Sequence, residues 1–161
     1  MFLAPSTVVG TGEPGFSGDG GPADQATIKG LSGQAAPPTS RIVLDLNDNL
    51  YLADTFNNRI RKVDASGVIT TIAGDGTDFR FGDVSDLGED GPATAAVLRW
   101  PCDIAINAGG NLYIADTFNH CIRRVDPDGM ISTVAGQCGV PGFAGDGGDS
   151  REALLDRPYG I

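Results

Sequence analysis

The sequence predicts an all-β chain of four-stranded antiparallel sheets, and three observations predict it. The stretch 42–74, IVLDLNDNLYLADTFNNRIRKVDASGVITTIAG, returns without a gap as 104–136, IAINAGGNLYIADTFNHCIRRVDPDGMISTVAG, at a constant offset of 62 residues. Each copy holds four short runs rich in Ile, Val and Leu, which have the length and composition of strands. The 24 Gly and 10 Pro among 161 residues fall mainly between those runs, so they mark turns rather than disorder.

In chain order, residues 6–12 (STVVGTG) match 70–76 (TTIAGDG), the closing run of the first copy, and are expected to be a closing strand. A connector, GFSGDGGPA, follows at 15–23. In the first copy the runs 42–46, 50–53, 60–63 and 68–73, labelled a to d, are separated by turns at 47–49, 55–58 and 65–67. Asn and Gly there supply the positive-φ positions that tight hairpins need. Turns this short make each strand antiparallel to the next. The link from Ala73 to Cys102 is far longer than an ordinary connection. The second copy turns at 108–111, 117–120 and 127–129, and the final run 155–161 (LDRPYGI) matches the entry to strand a at 98–104 (LRWPCDI). The expected units are a d strand at 6–12, sheets at 41–74 and 103–136, and an a strand at 155–161.

Alternation along strand b puts Leu50 and Leu52 on one face and Tyr51 and Ala53 on the other, so both faces are apolar. A lone meander cannot cover both. Radial stacking of equivalent sheets can, and that architecture is a β-propeller. An open sandwich is the competitor, but here the repeating unit is a whole meander. Propellers hold ~4–8 blades. Two complete blades with a flanking d strand and a strand therefore read as a propeller segment. Its remaining cover would come from the rest of its own ring, from further copies of the chain, or from another protein in a larger assembly.

The runs 110–119 (GNLYIADTFN) and 122–126 (IRRVD), with 50–57 and 60–64 as the other copy, resemble the NHL repeat. The connector GFSGDGGPA at 15–23, its copy at 142–148 and a degraded copy at 88–93 resemble a common form of that family. The resemblance implies a propeller of four-stranded blades. It implies function only weakly, because one fold hosts many roles.

Net charge is −10, with 11 Lys and Arg against 21 Asp and Glu. A nucleic-acid reader needs a basic face, so nucleic acid and anionic membrane are excluded as natural partners, and a basic protein or a cation is favoured. No apolar run reaches the length of a membrane span. The first residues, MFLAP, show neither the basic region nor the long apolar region of a signal peptide. Three Cys occur with no CxxC pair, which argues against zinc and leaves the compartment open. Cys121 takes the place of Arg59 and could meet Cys138 across the c–d hairpin; only geometry decides that pairing.

The acidic connectors give the main candidate site. If all d-to-a connectors share one face, Asp75, Asp78, Asp83, Asp86, Glu89 and Asp90 form an acidic rim with Trp100 as an anchor, although Trp100 also suits packing between blades. Loop carboxylates suit calcium, with Asp19, Asp86, Asp90 and Asp146 as candidates. The spacing is not that of an EF-hand, and Asp-Gly pairs that simply make turns are the plainer reading. Asp54 with Asn57 and Arg59, or Asp116 with Asn119, could look catalytic. Their presence in both copies instead suggests side chains that tie the b–c hairpin to backbone N–H groups. His120, the one histidine, lies in a turn without a second histidine to build a cluster.

The function expected is a non-catalytic interaction or structural scaffold. The alternative is part of a six-bladed propeller enzyme, lactonase-like, strictosidine-synthase-like or amidating-lyase-like. Such an enzyme would carry a metal or catalytic site on the axis, where the a strands offer Asp45, Asp103 and Asn107. A subunit that completes its core against neighbours, in a homo-oligomer or a mixed assembly, is the other alternative.

Overall fold

A computed structural model describes residues 6–29, 41–77 and 87–161. The strands are β1 (Ile42–Leu44), β2 (Leu50–Asp54), β3 (Arg59–Val63), β4 (Ile69–Ala73), β5 (Pro101–Ile106), β6 (Leu112–Asp116), β7 (Cys121–Val125) and β8 (Ile131–Ala135). They form two sheets, ordered β1-β2-β3-β4 and β5-β6-β7-β8, with every neighbouring pair antiparallel. These are blades 1 and 2. Their registers repeat with the sequence: Ile42 faces Leu52 as Ile104 faces Ile114, and Leu50 faces Val63 as Leu112 faces Val125.

The b–c turns are single 3-10 turns, Thr55–Asn57 and Thr117–Asn119, each ended by a left-handed residue, Asn58 or His120. Asn and His tolerate that region better than most side chains. The c–d ladder shifts register at Ile60/Arg61 and at Ile122/Arg123. A bulge re-aims the side chain beside it, and in both blades that side chain is a buried arginine.

Both faces of β2, β3 and β4 are covered, as the alternation along strand b requires. Ala53, Ile60 and Ala73, with Tyr51 and Val43 partly buried beside them, join Leu98, Ile104, Leu112, Ile114, Val125 and Ile131 in the core between the blades. Leu52, Val63 and Ile69 pack on the other face against Ala23, Ala26 and Ile28 of the preceding connector. Each fully buried aliphatic side chain contributes about 1.5–3 kcal/mol.

The connectors run down between blades rather than across one surface. Pro22 pairs with Val68 and Pro92 with Met130, near the c–d turns. At their other end, Gly10 and Thr11 donate to the Ala23 and Ala26 carbonyls, as Gly74 and Asp75 do to Ala93 and Ala96, and as Gly136 and Gln137 do to Ser150 and Ala153. Residues 6–12 thus make the bonds of a segment leaving strand d. Neither they nor 155–161 form a ladder, because no neighbouring strand lies beside them among the described residues. The outer face of β1 is open, with Ile42 and Leu44 exposed by 56% and 60%.

Candidate functional site

The motif Asp-Thr-Phe-Asn builds the same latch in each blade. Asp54 closes β2 and is 1% exposed; its Oδ1 accepts the Lys29 N–H at 2.8 Å and the Asn57 amide at 2.8 Å. Arg61, fully buried, reaches Asp54 Oδ2 at 3.3 Å, Asp19 Oδ1 at 2.7 Å and the Ser17 carbonyl at 3.0 Å. In blade 2, Asp116 accepts the Arg99 N–H at 2.7 Å and the Asn119 amide at 2.8 Å. Arg123 lies 3.9 Å from Asp116 and 3.2 Å from Glu89. Burial pushes the Asp54 carboxyl up, and it pushes Asp116 up to about 6, against the bonds and the arginine that hold the charged form. Each latch joins strands b and c to the connector that enters the blade.

A second arrangement lies where the b–c turns meet the entries to the a strands. Trp100 has φ +48, rare for an aromatic residue, and its N–H donates to Asn58 Oδ1 at 3.0 Å. Its ring stands between Phe56 and Phe118, edge-on to both, with centroids 4.6 and 4.7 Å away. One blade on, Arg157 repeats the pattern: φ +49, N–H donated to His120 Nδ1 at 3.2 Å, and guanidinium 5.6 Å from the Phe118 centroid. His120 also lies 3.3 Å from Asp156, and burial lowers its pKa, against the pull of the Asp156 carboxylate. The Thr55 and Thr117 hydroxyls donate to the Pro101 and Pro158 carbonyls, both at 2.8 Å, and so fix each incoming a strand.

The structure sorts the sequence candidates. Asp78, Asp83 and Asp86 lie outside the described residues. Asp75 is exposed, and its carboxylate accepts the Thr77 N–H and hydroxyl. Asp19 and Glu89, read as a calcium candidate and a rim acid, are each 38% exposed at the side chain and pair with the buried Arg61 and Arg123. The reason is that the connectors turn inward between blades, where a buried guanidinium requires an acidic partner. Asp90 sits in a left-handed turn, and Asp146 is exposed. No group of three His, Cys, Asp or Glu among the described residues is placed to share one metal ion. Trp100 packs between blades.

The a-strand residues proposed for the axis are engaged as well. Asp45 accepts the Asn47 and Asn49 N–H groups and the Tyr51 hydroxyl; burial alone would raise its pKa, and these bonds with the Asn49 amide bring it down to about 2. Asn107 makes the corresponding bonds to Gly109 and Asn111. Asp103, 6% exposed, ties three entering segments together: it lies 3.5 Å from Arg41 Nε, accepts the Ile104 N–H, and accepts the Ile161 N–H at 3.0 Å. Cys121 and Cys138 form a disulfide with their Cα atoms 5.0 Å apart, and Cys102 is a buried free thiol. A groove of about 470 Å³ opens between the blades, with Tyr51, Lys62 and Ile72 on one wall and Leu112, Asp126 and Asp128 on the other.

Comparison with known proteins joins these repeats to a family. The family profile of the Teneurin NHL domain matches residues 72–142, from the end of β4 through blade 2. NHL repeat-containing protein 2 of Bos taurus is 32% identical over 124 residues, covering 75% of this chain and 16% of its own length. The chain belongs to the NHL-repeat family. Teneurin-3 of Mus musculus is 31% identical over 153 residues, or 84% of this chain and 5% of that protein. The NHL chain therefore spans only a small part of these curated relatives. A structural genomics protein of unknown function from Bacteroides thetaiotaomicron superposes with a TM-score of 0.63 at 28% identity, over 81% of this chain and 32% of that one. An auxiliary nutrient binding protein from Bacteroides ovatus shares the fold with a TM-score of 0.56 at 22% identity, over 86% of this chain and 35% of its own. The two NHL blades form a β-propeller unit. No helix among the described residues is long and apolar enough to cross a membrane.

Arg61 and Arg123, the largest fully buried side chains among the described residues, were not among the site candidates of the sequence. A signal was present: an acid recurs at one connector position, as Asp19, Glu89 and Asp146, and a basic residue recurs mid-strand in IRKV and IRRV.

Proposed function

We propose that this chain is a scaffolding part of an NHL propeller that binds a basic protein or peptide and performs no catalysis with the groups described above. One observation carries the reading. The residues that look most catalytic, Asp54, Asn57, Asp116 and Asn119, are spent on a latch that recurs in both blades. An active site is ordinarily needed once; a structural device is needed in every repeat. The face offered to a partner is the edge of the b–c turns and a-strand entries, where Asp75, its carbonyl bonded by Arg59, is exposed and Phe56, Trp100 and Phe118 are half-buried. The single tryptophan reports on that edge. Titrating the intact chain with an oligolysine peptide is expected to change Trp100 emission, with an effect that shrinks at high salt and weakens in Asp75→Asn. No response to oligolysine, or one indifferent to salt, overturns the proposal.

The open face of β1 favours a complementary structural role. Ile42 and Leu44 on β1, with Leu46 in the turn that follows, 87% exposed, are apolar side chains that further blades, from the same ring or from other chains, would cover. Sedimentation at low concentration is expected to show association through these side chains, weakened in Leu44→Asp. A folded monomer that stays dispersed at high concentration contradicts it.

A further inference from the structure

Cys121 and Cys138 occupy the positions that Arg59 and Gly76 hold in blade 1, each 62 residues earlier. In blade 1 the Arg59 guanidinium donates to the Asp75 carbonyl at 2.6 Å and to the Asn57 carbonyl at 3.1 Å, and it fills the space into which a Cβ at Gly76 would project. The first residue of strand c is thereby fastened to the turn leaving strand d. In blade 2 a disulfide makes the same fastening. A thiol at 121 could make neither of the guanidinium bonds, so the blade 2 clasp exists only when oxidised, whereas the blade 1 clasp is indifferent to redox conditions. The two cysteines also differ in access: Cys121 is fully buried, while Cys138 is a partly exposed residue on the connector, with its Sγ 3.3 Å from the Thr133 hydroxyl.

We infer that Cys138 is the entry thiol and Cys121 the resolving thiol of a stapling disulfide, and that the protein works in an oxidising compartment, where such bonds persist. The oxidant is a disulfide, small-molecule or carried by an oxidoreductase. The Cys138 thiolate attacks one of its sulfurs, forming a mixed disulfide and releasing one thiolate. Cys121, after losing its proton, attacks the Cys138 sulfur and expels the second. In sum, two cysteine thiols are oxidised to one cystine while the oxidant is reduced to two thiols. The part that burial gives each sulfur sets this order, because the thiol within reach of solvent meets the reagent first.

The experiment uses the full chain and two single variants, reduced and then treated with glutathione disulfide, with adducts mapped by peptide mass. Cys121→Ser is expected to hold one glutathione on Cys138. Cys138→Ser is expected to hold none while folded and to accept one on Cys121 in denaturant, which separates burial from loss of reactivity. Circular dichroism confirms that both variants are folded. If folded Cys138→Ser takes up glutathione as fast as Cys121→Ser, the assigned order is wrong. If chain isolated from its natural source under thiol-blocking conditions carries alkylated Cys121 and Cys138, the bond is absent in the working protein and the compartment inference fails. Recovery of the unlabelled cystine supports it.

Discussion

Blade 1 fastens the start of its c strand to the turn after its d strand with a guanidinium, and blade 2 does so with a disulfide. Around these clasps the two blades share registers, turns and the bulge beside the buried arginine. The comparison shows that the fold demands a connection at this place but not one chemistry. Similar substitutions occur elsewhere. The a–b hairpin is held by Asp45 in one blade and Asn107 in the other, so it needs the acceptor oxygen and not the charge. The acid facing the buried arginine is Asp19 in blade 1 and Glu89 in blade 2. The longer Glu89 also accepts the Thr133 N–H and hydroxyl, while Asp19 accepts only the hydroxyl of Thr71. The arginine-to-aspartate distance at the blade end of the latch is 3.3 Å in blade 1 and 3.9 Å in blade 2.

The largest expected effect comes from removing the part both blades share. Arg61→Ala and Arg123→Ala each leave a buried carboxylate without its cation, a change that costs about 3–5 kcal/mol. Because Arg61 stands closer to its aspartate, its loss should be the greater of the two in urea unfolding. Equal losses would mean that the difference in spacing has no energetic meaning.

The clasps come next. Opening the 121–138 disulfide, by reductant or by replacing both cysteines with serine, should lower stability by about 3 kcal/mol, the value for a loop of this length. Arg59→Ala removes a charge-assisted bond worth about 1.5–3 kcal/mol and the stacking of Arg59 on Phe16, 3.8 Å away. Its loss should be unchanged by reductant. If reductant leaves the unfolding midpoint where it was, the disulfide is not the counterpart of the arginine.

The last effect is a dependence on pH. Asp116 is pushed up to about 6 by burial, above the ordinary carboxylate value. Between about pH 4 and pH 6 the folded state therefore holds a proton that the unfolded chain has released. The stability linked to this group is full below pH 4 and falls as pH rises through 6, by about 3 kcal/mol. Asp116→Asn keeps an acceptor for the Arg99 N–H and should flatten that slope. A slope that survives the substitution belongs to another group, with Asp54 the first to test.

How much of this was legible varies with the range of the interaction involved. The four runs of the first copy became strands within one or two residues, because alternation and turn chemistry are local; in the second copy β5 begins earlier, at Pro101. The two-faced apolar pattern at Leu50–Ala53 correctly required cover on both sides. The tying role of Asp54 and Asn57 was legible from their repetition, but their partners Lys29 and Arg61 were not, since these come from elements distant along the chain. The acidic rim was read from charge alone. Charge alone does not reveal that Asp19 and Glu89, exposed like Asp75, also reach buried arginines.

The sequence by itself determined the blade: its strands, its turns, its repeat length and its need for neighbours on both faces. Periodicity and turn residues act over a few positions, so one chain is enough to read them. Only the tertiary structure decided which charges are neutralised, that Cys121 meets Cys138, and that Asp103 gathers three entering segments. Those outcomes depend on the path of the connectors between the stacked blades. That path is set by the packing of Ala23, Ala26, Ala93 and Ala96, side chains too small to announce themselves in a pattern of charge or hydropathy.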